Sequence, residues 1–183
     1  MRPFCLRMGF VRAGIVLALV SGCAGDAGKG KSQDPLVTAA APPKESGLLP
    51  PKKANLPDLP DGAGKMDDNA PDEFTPTPSG LYYRILRKGN RHKPRSYDIV
   101  VVHYRGWLDD GHQFDSSYDR AATTEFSVDK VVPGWQEGLQ LIGEGGMIEL
   151  EVPARLGYGP RGMPPSIPPN ATLHFIVELQ KIK

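Results

Sequence analysis

The feature of this sequence that most limits its fold is a series of short, strand-like apolar segments with only one helical segment among them. Met147 to Val152 places Ile148, Leu150 and Val152 on one face, and Thr172 to Ile182 alternates in the same way. Alternation over such lengths predicts strands with one buried face. The other predicted strands are Leu81 to Arg87, Tyr97 to Leu108, Gln113 to Ser116 and Thr123 to Val128.

The single helix is predicted from Trp135 to Ile142. Pro133 and Gly134 introduce it, and the glycines that follow Ile142 end it. One short helix against several antiparallel strands predicts an α+β fold. We expect an antiparallel β half-barrel wrapped around one short α-helix.

The first residues have the pattern of an export signal. Arg2, Arg7 and Arg12 precede an apolar run, Ala13 to Val20, that is too short to cross a bilayer. We therefore predict a signal peptide over residues 1–22.

The signal ends in Leu19-Val20-Ser21-Gly22-Cys23, which resembles a bacterial lipobox. This predicts a lipoprotein whose N-terminus is a lipidated Cys23, and Ala24 after it favours the periplasmic side of the outer membrane. We expect a membrane contact through the lipid anchor only. The alternative is an ordinary secretory signal that is cut near Ala24, with Cys23 removed or free.

Residues 23–78 are rich in Pro, Gly, Ala, Ser and Lys and show no strand or helix periodicity. Such a composition cannot bury enough apolar surface to offset the entropy of ordering, so a disordered linker is predicted. The alternative for its middle part is that Leu48 to Leu59 pack on the domain that follows. That domain is predicted over residues 79–183.

Charge and cysteine content exclude several functional classes. The net charge of +1 argues against a nucleic-acid binder, which normally carries a basic stripe. The two cysteines, Cys5 and Cys23, both precede the predicted domain. The histidines, which are His92, His103, His112 and His174, do not have metal-ligand spacing. We therefore predict no metal and no cofactor.

The stretch from Tyr104 to Phe175 is rich in aromatic and β-branched residues and has few reactive groups. Such a set is typical of a concave apolar pocket with a few polar groups. Large aromatic residues such as Trp135 and Phe175 are, however, more often part of a core. For Asp115, which precedes two serines, the alternative is a structural role in a turn or as a cap.

Five blocks in this order resemble the FKBP-type peptidyl-prolyl cis-trans isomerases, over about Gly80 to Lys183. They are Val102-His103-Tyr104-Arg105-Gly106, Phe114-Asp115-Ser116-Ser117, Val131-Val132-Pro133-Gly134-Trp135, Leu156-Gly157-Tyr158-Gly159 and the run from Ile167 to Phe175. The resemblance implies the same half-barrel fold and an enzyme that rotates the peptide bond before proline.

The resemblance also implies roles for individual residues. Trp135 would be the pocket floor, and Asp115 and Tyr158 the polar groups, with Tyr158 donating to a substrate carbonyl. Ile167 would cap the pocket, and Arg120 would pair with Asp115. The implied walls are Tyr104, Phe114, Val131, Val132 and Phe175.

Proline-containing polypeptides are the implied substrates, macrolides are possible inhibitors, and a monomer is expected. Thr124, Met163 and Pro165 depart from residues common in the family, so substrate preference and macrolide affinity are expected to differ. A second hypothesis is a binding module that holds proline-containing segments, with turnover incidental or lost. The enzyme is favoured because four residues of the implied site are intact: Tyr104, Asp115, Trp135 and Tyr158.

Overall fold

The computed structural model describes residues 49–53 and 57–183. The predicted signal segment, Cys23 and the N-terminal part of the predicted linker lie outside the described residues. The predictions made for them therefore stay predictions.

An antiparallel sheet forms the body of the described chain. Its strands are β1 (Lys52–Lys53), β2 (Glu73–Pro76), β3 (Tyr82–Arg87), β4 (Ile99–Leu108), β5 (Gln113–Ser116), β6 (Thr124–Ser127), β7 (Met147–Val152) and β8 (Leu173–Ile182). They lie in the order β1-β2-β3-β7-β8-β4-β5, with β6 also paired to β4. The predicted strands are confirmed, with bounds that differ by at most two residues. This sheet and the one α-helix of the described residues confirm the predicted α+β half-barrel.

Strand β4 has one edge that is shared by two partners. Residues 105–107 pair with β5 and residues 99–102 pair with β6, while β8 pairs along the other edge. Between β5 and β6 the chain leaves the sheet and is tied back at Ser117. Its backbone N–H donates to the Tyr104 carbonyl (2.9 Å), and its hydroxyl accepts the Tyr104 N–H (2.8 Å). These bonds hold the segment after β5 beside Tyr104.

Helix α1 (Pro133–Leu139) packs closely on the sheet through two glycines. A Cβ on Gly134 would lie 2.6 Å from Val152 Cγ1, and one on Gly138 would lie 2.7 Å from Leu150 Cδ2. Positions four apart share one helix face, so a single glycine stripe contacts β7. The helix ends earlier than predicted because the Leu141 N–H bonds the Gly138 carbonyl, which tightens the last turn.

The main core lies between α1 and the sheet. It contains Leu81, Val100, Val102, Leu139, Ile142, Leu150, Val177 and Leu179, all fully buried. Burying one such side chain stabilises the fold by about 1.5–3 kcal/mol. This core supports the base of the cavity described below.

The opposite face of the sheet is also covered, which the sequence predicts only through the alternative that Leu48 to Leu59 pack on the domain. Leu86, Met147 and Ile176 form a second buried cluster there, and Leu59, Ala63 and Met66 pack against it. Arg87 strengthens the contact because its Nη1 donates to the Lys65 carbonyl (2.8 Å). Strand β8 is therefore buried on both faces rather than on one.

The predicted disordered linker is consequently too long at its C-terminal end. Glu73–Pro76 forms β2, which pairs with β3, and Phe74 is 3% exposed. Lys52–Lys53 pairs with β2. A lone aromatic residue among prolines gives no periodic signal, which is why composition alone points to a linker.

None of the helices in the described part of the chain is long and apolar enough to cross a bilayer.

Candidate functional site

A cavity of about 370 Å³ opens at the N-terminal end of α1. Most of the residues around it are aromatic or aliphatic. They are Tyr104, Phe114, Asp115, Phe126, Lys130, Val131, Val132, Trp135, Tyr158, Met163 and Phe175. The structure thus brings together eight of the ten site residues predicted for the described domain.

Trp135 stands at the centre of this group, in the first turn of α1. Three aromatic rings meet its indole edge to face: Tyr104 at 5.3 Å, Phe126 at 5.6 Å and Phe175 at 5.3 Å between centroids. Each such pair contributes about 0.5–1.5 kcal/mol beyond area burial. The indole orientation is therefore fixed from three sides.

The indole N–H of Trp135 has no hydrogen-bond acceptor among the residues that the structure describes. A buried donor without a partner costs about 1–3 kcal/mol. A phenylalanine at the same place would avoid that cost. Packing in the core therefore does not explain why this position holds a tryptophan rather than a phenylalanine.

Val131 and Val132 line the cavity from the extended segment that leads into α1. The Gln136 side-chain amide donates to the Val131 carbonyl (2.8 Å), which ties this segment to the helix. The wall and the floor of the cavity therefore belong to one local unit.

A charged pair and a phenol form the polar edge of the cavity. Arg120 donates from Nη1 to Asp115 Oδ1 (2.6 Å) and from Nη2 to the Tyr104 hydroxyl (3.1 Å). The Tyr104 hydroxyl in turn donates to the other oxygen of Asp115. Both carboxylate oxygens of Asp115 are thus occupied.

This network keeps Asp115 ionised. Burial alone would raise its pKa, but the hydrogen bonds from Tyr104 and Arg120 and the charge of Arg120 outweigh burial, so the pKa lies below its ordinary value. Burial and the bond to Asp115 raise the pKa of Tyr104 to about 12. At neutral pH the cavity edge therefore holds a carboxylate, a guanidinium and a neutral phenol.

Tyr158 contributes a second phenol from the loop after β7. Its side chain lines the cavity and 39% of the residue is exposed. Burial, with a smaller contribution from the Asp115 charge, raises its pKa, so it stays protonated. Its hydroxyl forms no hydrogen bond within the described residues, which leaves it able to donate to a ligand.

Two predicted site residues do not line the cavity. Ile167 is 1% exposed and belongs to the core, so the expected cap is a buried support of the loop. Arg120 lies outside the cavity wall and acts through Asp115.

Phe126 and Lys130 line the cavity but are missing from the sequence prediction, whereas Met163 is predicted only as a departure from the family that alters substrate preference and macrolide affinity. Phe126 lies in β6, and an aromatic side chain within a predicted strand is the sequence signal that could have identified it as a lining residue. Lys130 ends a short 3-10 helix before Val131, and its Nζ lies 3.4 Å from Asp129. No spacing in the sequence points to Lys130.

The site contains no arrangement for covalent chemistry. Within the described residues, no group of three or more His, Cys, Asp or Glu side chains has metal-site geometry. What the cavity offers is an apolar enclosure for a small ring, a phenolic donor, and a carboxylate held in place. These features suit a site that binds a ligand and strains its conformation, rather than a site that cleaves a covalent bond.

Comparisons with known proteins point to one family. Residues 90–180 match the model of the FKBP-type peptidyl-prolyl cis-trans isomerase family. The FKBP-type peptidyl-prolyl cis-trans isomerase FkpA of Escherichia coli is 48% identical over 105 residues, which are 57% of this chain and 38% of FkpA. The FKBP-type 22 kDa isomerase of the same organism is 45% identical over 123 residues, 67% of this chain and 60% of that protein.

The fold agrees with these matches. The crystal structure of FkpA from Escherichia coli aligns with a TM-score of 0.58 at 45% identity, covering 60% of this chain and 51% of that chain. The chain thus spans between 38% and 60% of the length of these relatives. On the fold and the match of residues 90–180, the described domain belongs to the FKBP-type peptidyl-prolyl cis-trans isomerase family.

Proposed function

We propose that this protein accelerates cis-trans isomerisation of the peptide bond before proline, in exported or cell-envelope polypeptides. The observation that carries the proposal is the Trp135 indole at the base of an apolar cavity, held edge-on by three aromatic rings. A prolyl ring is a small, compact apolar group that such a cavity can enclose.

The origin of the barrier to C–N rotation explains why the reaction needs no nucleophile. Partial double-bond character of C–N gives a rotation barrier of about 18–20 kcal/mol. Without a catalyst, exchange takes about 10–100 s at 25 °C. Rotation makes and breaks no covalent bond, so shape and polarity of the site are sufficient.

An apolar site lowers this barrier by favouring the twisted state. The planar amide is more dipolar than the twisted amide and gains more from water, so removing water favours the transition state. A reduction of about 5 kcal/mol gives several thousandfold acceleration. Trp135 would seat the prolyl ring, with Tyr104, Phe114, Val131, Val132 and Phe175 as walls.

The polar groups would orient the substrate chain. Tyr158 would donate its free hydroxyl to a substrate carbonyl. Asp115, held ionised by Arg120, would fix the Tyr104 ring and give the cavity edge a negative charge. Lys130, at the rim, would face substrate residues next to the proline.

We also propose that the protein is a lipoprotein at the periplasmic side of the outer membrane, anchored through Cys23. The run of small residues before Cys23 supports this proposal. A Cys23→Ala protein should no longer incorporate labelled fatty acid and should leave the membrane fraction. Unchanged labelling would contradict the anchor.

Proline-containing polypeptides are the proposed partners, and the protein is proposed to act as a monomer. Macrolide inhibitors are expected to bind the same cavity. Met163 lines the cavity and is 43% exposed, so it lies where it can alter their affinity.

A protease-coupled assay on a short proline peptide tests the function. The full-length protein should accelerate the slow phase, and Trp135→Leu should lose most of that activity while keeping the native circular dichroism spectrum. Phe74→Leu, which changes a buried aromatic residue outside the cavity, is the control. Equal activity in the parent and Trp135→Leu would place catalysis elsewhere.

A further inference from the structure

The loop between β3 and β4 carries a concentration of positive charge that the proposed isomerase does not use. Residues 88–95 read Lys-Gly-Asn-Arg-His-Lys-Pro-Arg, with four lysines or arginines and no carboxylate. All of these residues except Pro94 are exposed. The whole chain has a net charge of only +1, so the charge of this segment, the basic loop, is local.

A second cavity, of about 420 Å³, lies under the basic loop. Ile85 and Leu141 give it apolar walls, and Lys88, Arg91 and Lys93 line it with cationic side chains. It shares no lining residue with the Trp135 cavity. The two cavities lie at opposite ends of α1, since Trp135 is in its first turn and Leu141 follows its last.

The cationic side chains of the loop are available to an external anion. The nearby carboxylates of Asp67 and Asp98 accept backbone N–H groups of Lys88 (3.2 Å) and Arg95 (2.7 Å), and Glu144 accepts that of Ile182 (2.9 Å). Within the described residues, no ion pair involves the side chains of Lys88, Arg91 or Lys93.

Two exposed side chains with large apolar parts, Tyr97 and Ile99, follow the basic loop in the chain. Tyr97 is 67% exposed and Ile99 is 43% exposed. Arg95 Nη1 donates to the Tyr97 hydroxyl (2.7 Å), which joins the aromatic ring to the basic loop. Tyrosine beside lysine, arginine and an aliphatic residue is the composition found at the headgroup level of membranes.

The basic loop is held in a fixed position relative to α1. The Gly143 N–H donates to the Lys88 carbonyl (3.1 Å), the Asn90 N–H to the Glu144 carbonyl (2.9 Å), and the Glu144 N–H to the His92 carbonyl (3.0 Å). A surface that binds the loop would therefore also orient the helix and the Trp135 cavity at its other end.

We propose that the basic loop, together with Tyr97 and Ile99, docks the domain on an anionic phospholipid surface. The cationic side chains would meet headgroup phosphates, and the Ile85–Leu141 walls would take the apolar part of a lipid. Nucleic acid fits less well because Ile85 and Leu141 give the cavity apolar walls and the whole chain has a net charge of only +1. The sequence predicts membrane contact through the lipid anchor only, and this surface adds a second contact that leaves the Trp135 cavity open.

The experiment measures binding of the full chain to phospholipid vesicles by sedimentation. Every sample carries Cys23→Ala so that acylation does not contribute. The vesicles are phosphatidylcholine with or without phosphatidylglycerol. The test protein adds Arg91→Gln and Lys93→Gln, and the matched control adds Lys53→Gln and Arg161→Gln, which remove the same charge outside the basic loop.

The parent should bind the anionic vesicles, and the Arg91→Gln/Lys93→Gln protein should bind them about 30-fold more weakly, about fivefold for each cation. The control should bind like the parent. Raising the salt from about 0.1 to about 1 M should abolish the difference because the Debye length falls from about 10 to about 3 Å.

Equal binding by the test and control proteins would overturn the proposal. So would binding of poly-glutamate, but not of anionic vesicles, to the basic loop, since the partner would then be an acidic polypeptide. Turnover of a soluble proline peptide should be the same in all the proteins. Loss of turnover in every sample would count against the isomerase proposal and leave the vesicle result to stand by itself.

Discussion

Arg120 Nη1 lies 2.6 Å from Asp115 Oδ1, and the same guanidinium reaches the Tyr104 hydroxyl at 3.1 Å. Arg120 comes from the segment between β5 and β6, which Ser117 ties to Tyr104. A residue outside the cavity therefore controls the charge and orientation of the carboxylate inside it.

Arg120→Gln should lower kcat/KM by about tenfold, because Asp115 and Tyr104 lose a charge-assisted hydrogen-bond donor. The free energy of unfolding should fall by less than about 1 kcal/mol, because water screens an exposed ion pair. Kinetics on a proline peptide and urea unfolding check both values. Arg161→Gln is the control, and equal kinetics in the two proteins would contradict the role given to Arg120.

Tyr158→Phe should lower kcat/KM about fivefold with little change in stability, because the lost hydroxyl has no partner within the described fold. Tyr104→Phe should in addition lower the free energy of unfolding by about 1 kcal/mol, because its hydroxyl bonds Asp115 and Arg120. Kinetics and urea unfolding of both proteins separate the two roles. If the Tyr158→Phe protein has the parental kcat/KM, the Tyr158 hydroxyl does not contribute to catalysis.

The pH dependence of the polar edge of the cavity follows from the shifted pKa values of Asp115 and Tyr104. The pKa of Asp115 is lowered, so its contribution to stability is present above the ordinary range of Asp and is lost as the pH falls through the folded-state pKa. The pKa of Tyr104 is raised to about 12, so its contribution is complete below its ordinary value and is lost as the pH rises through 12.

We therefore expect kcat/KM to be flat between about pH 5 and pH 9, with a fall below about pH 4. Asp115→Asn should lack this acid fall while the protein stays folded. Rates and circular dichroism across the pH range provide the check. A bell-shaped profile centred near neutral pH would instead indicate acid-base catalysis.

Gly138→Ala should destabilise the protein although alanine favours helices. The new methyl group would lie 2.7 Å from Leu150 Cδ2, and overpacking costs about 1–3 kcal/mol against a propensity gain of about 1 kcal/mol. We expect a net loss of about 1 kcal/mol in urea unfolding, and a lower kcat/KM because α1 carries Trp135. Gln140→Ala at the end of the helix is the control. Unchanged stability would mean that α1 lies further from β7.

Met66→Ala should lower the free energy of unfolding by about 1–2 kcal/mol, because Met66 covers the cluster of Leu86, Met147 and Ile176. Leu49→Ala, at a residue that is 43% exposed, should change it little. Urea unfolding of the two full-length proteins measures the difference. Equal values would show that residues 57–67 contribute little to stability.

Alternation predicts the strands of this fold well because their core faces follow a period of two. β7 and β5 agree in both bounds, and Ile148 and Leu150 face the core as expected. The second face of β8 is missed because Leu59 and Met66, which cover it, come from a proline-rich segment without periodicity. When residues distant in the sequence cover a strand face, the alternation pattern of the strand itself does not reveal it.

The site is predicted in most of its residues but not in its geometry. Blocks that resemble a family point to Trp135, Asp115 and Tyr158. They do not show that Ile167 is buried rather than a cap, since a loop rich in Pro and Gly gives no burial pattern. Lys130 is missed because a lone exposed lysine has no distinguishing pattern.

The most direct test of a proline-isomerising cavity is exchange NMR on a short proline peptide with the full-length protein. One sample reports both binding, from shifts of the peptide signals, and turnover, from cis-trans exchange. We predict binding together with exchange several thousandfold faster than the free peptide, and loss of both with Trp135→Leu. Peptide binding without faster exchange would contradict the isomerase and leave a module that only holds proline-containing segments.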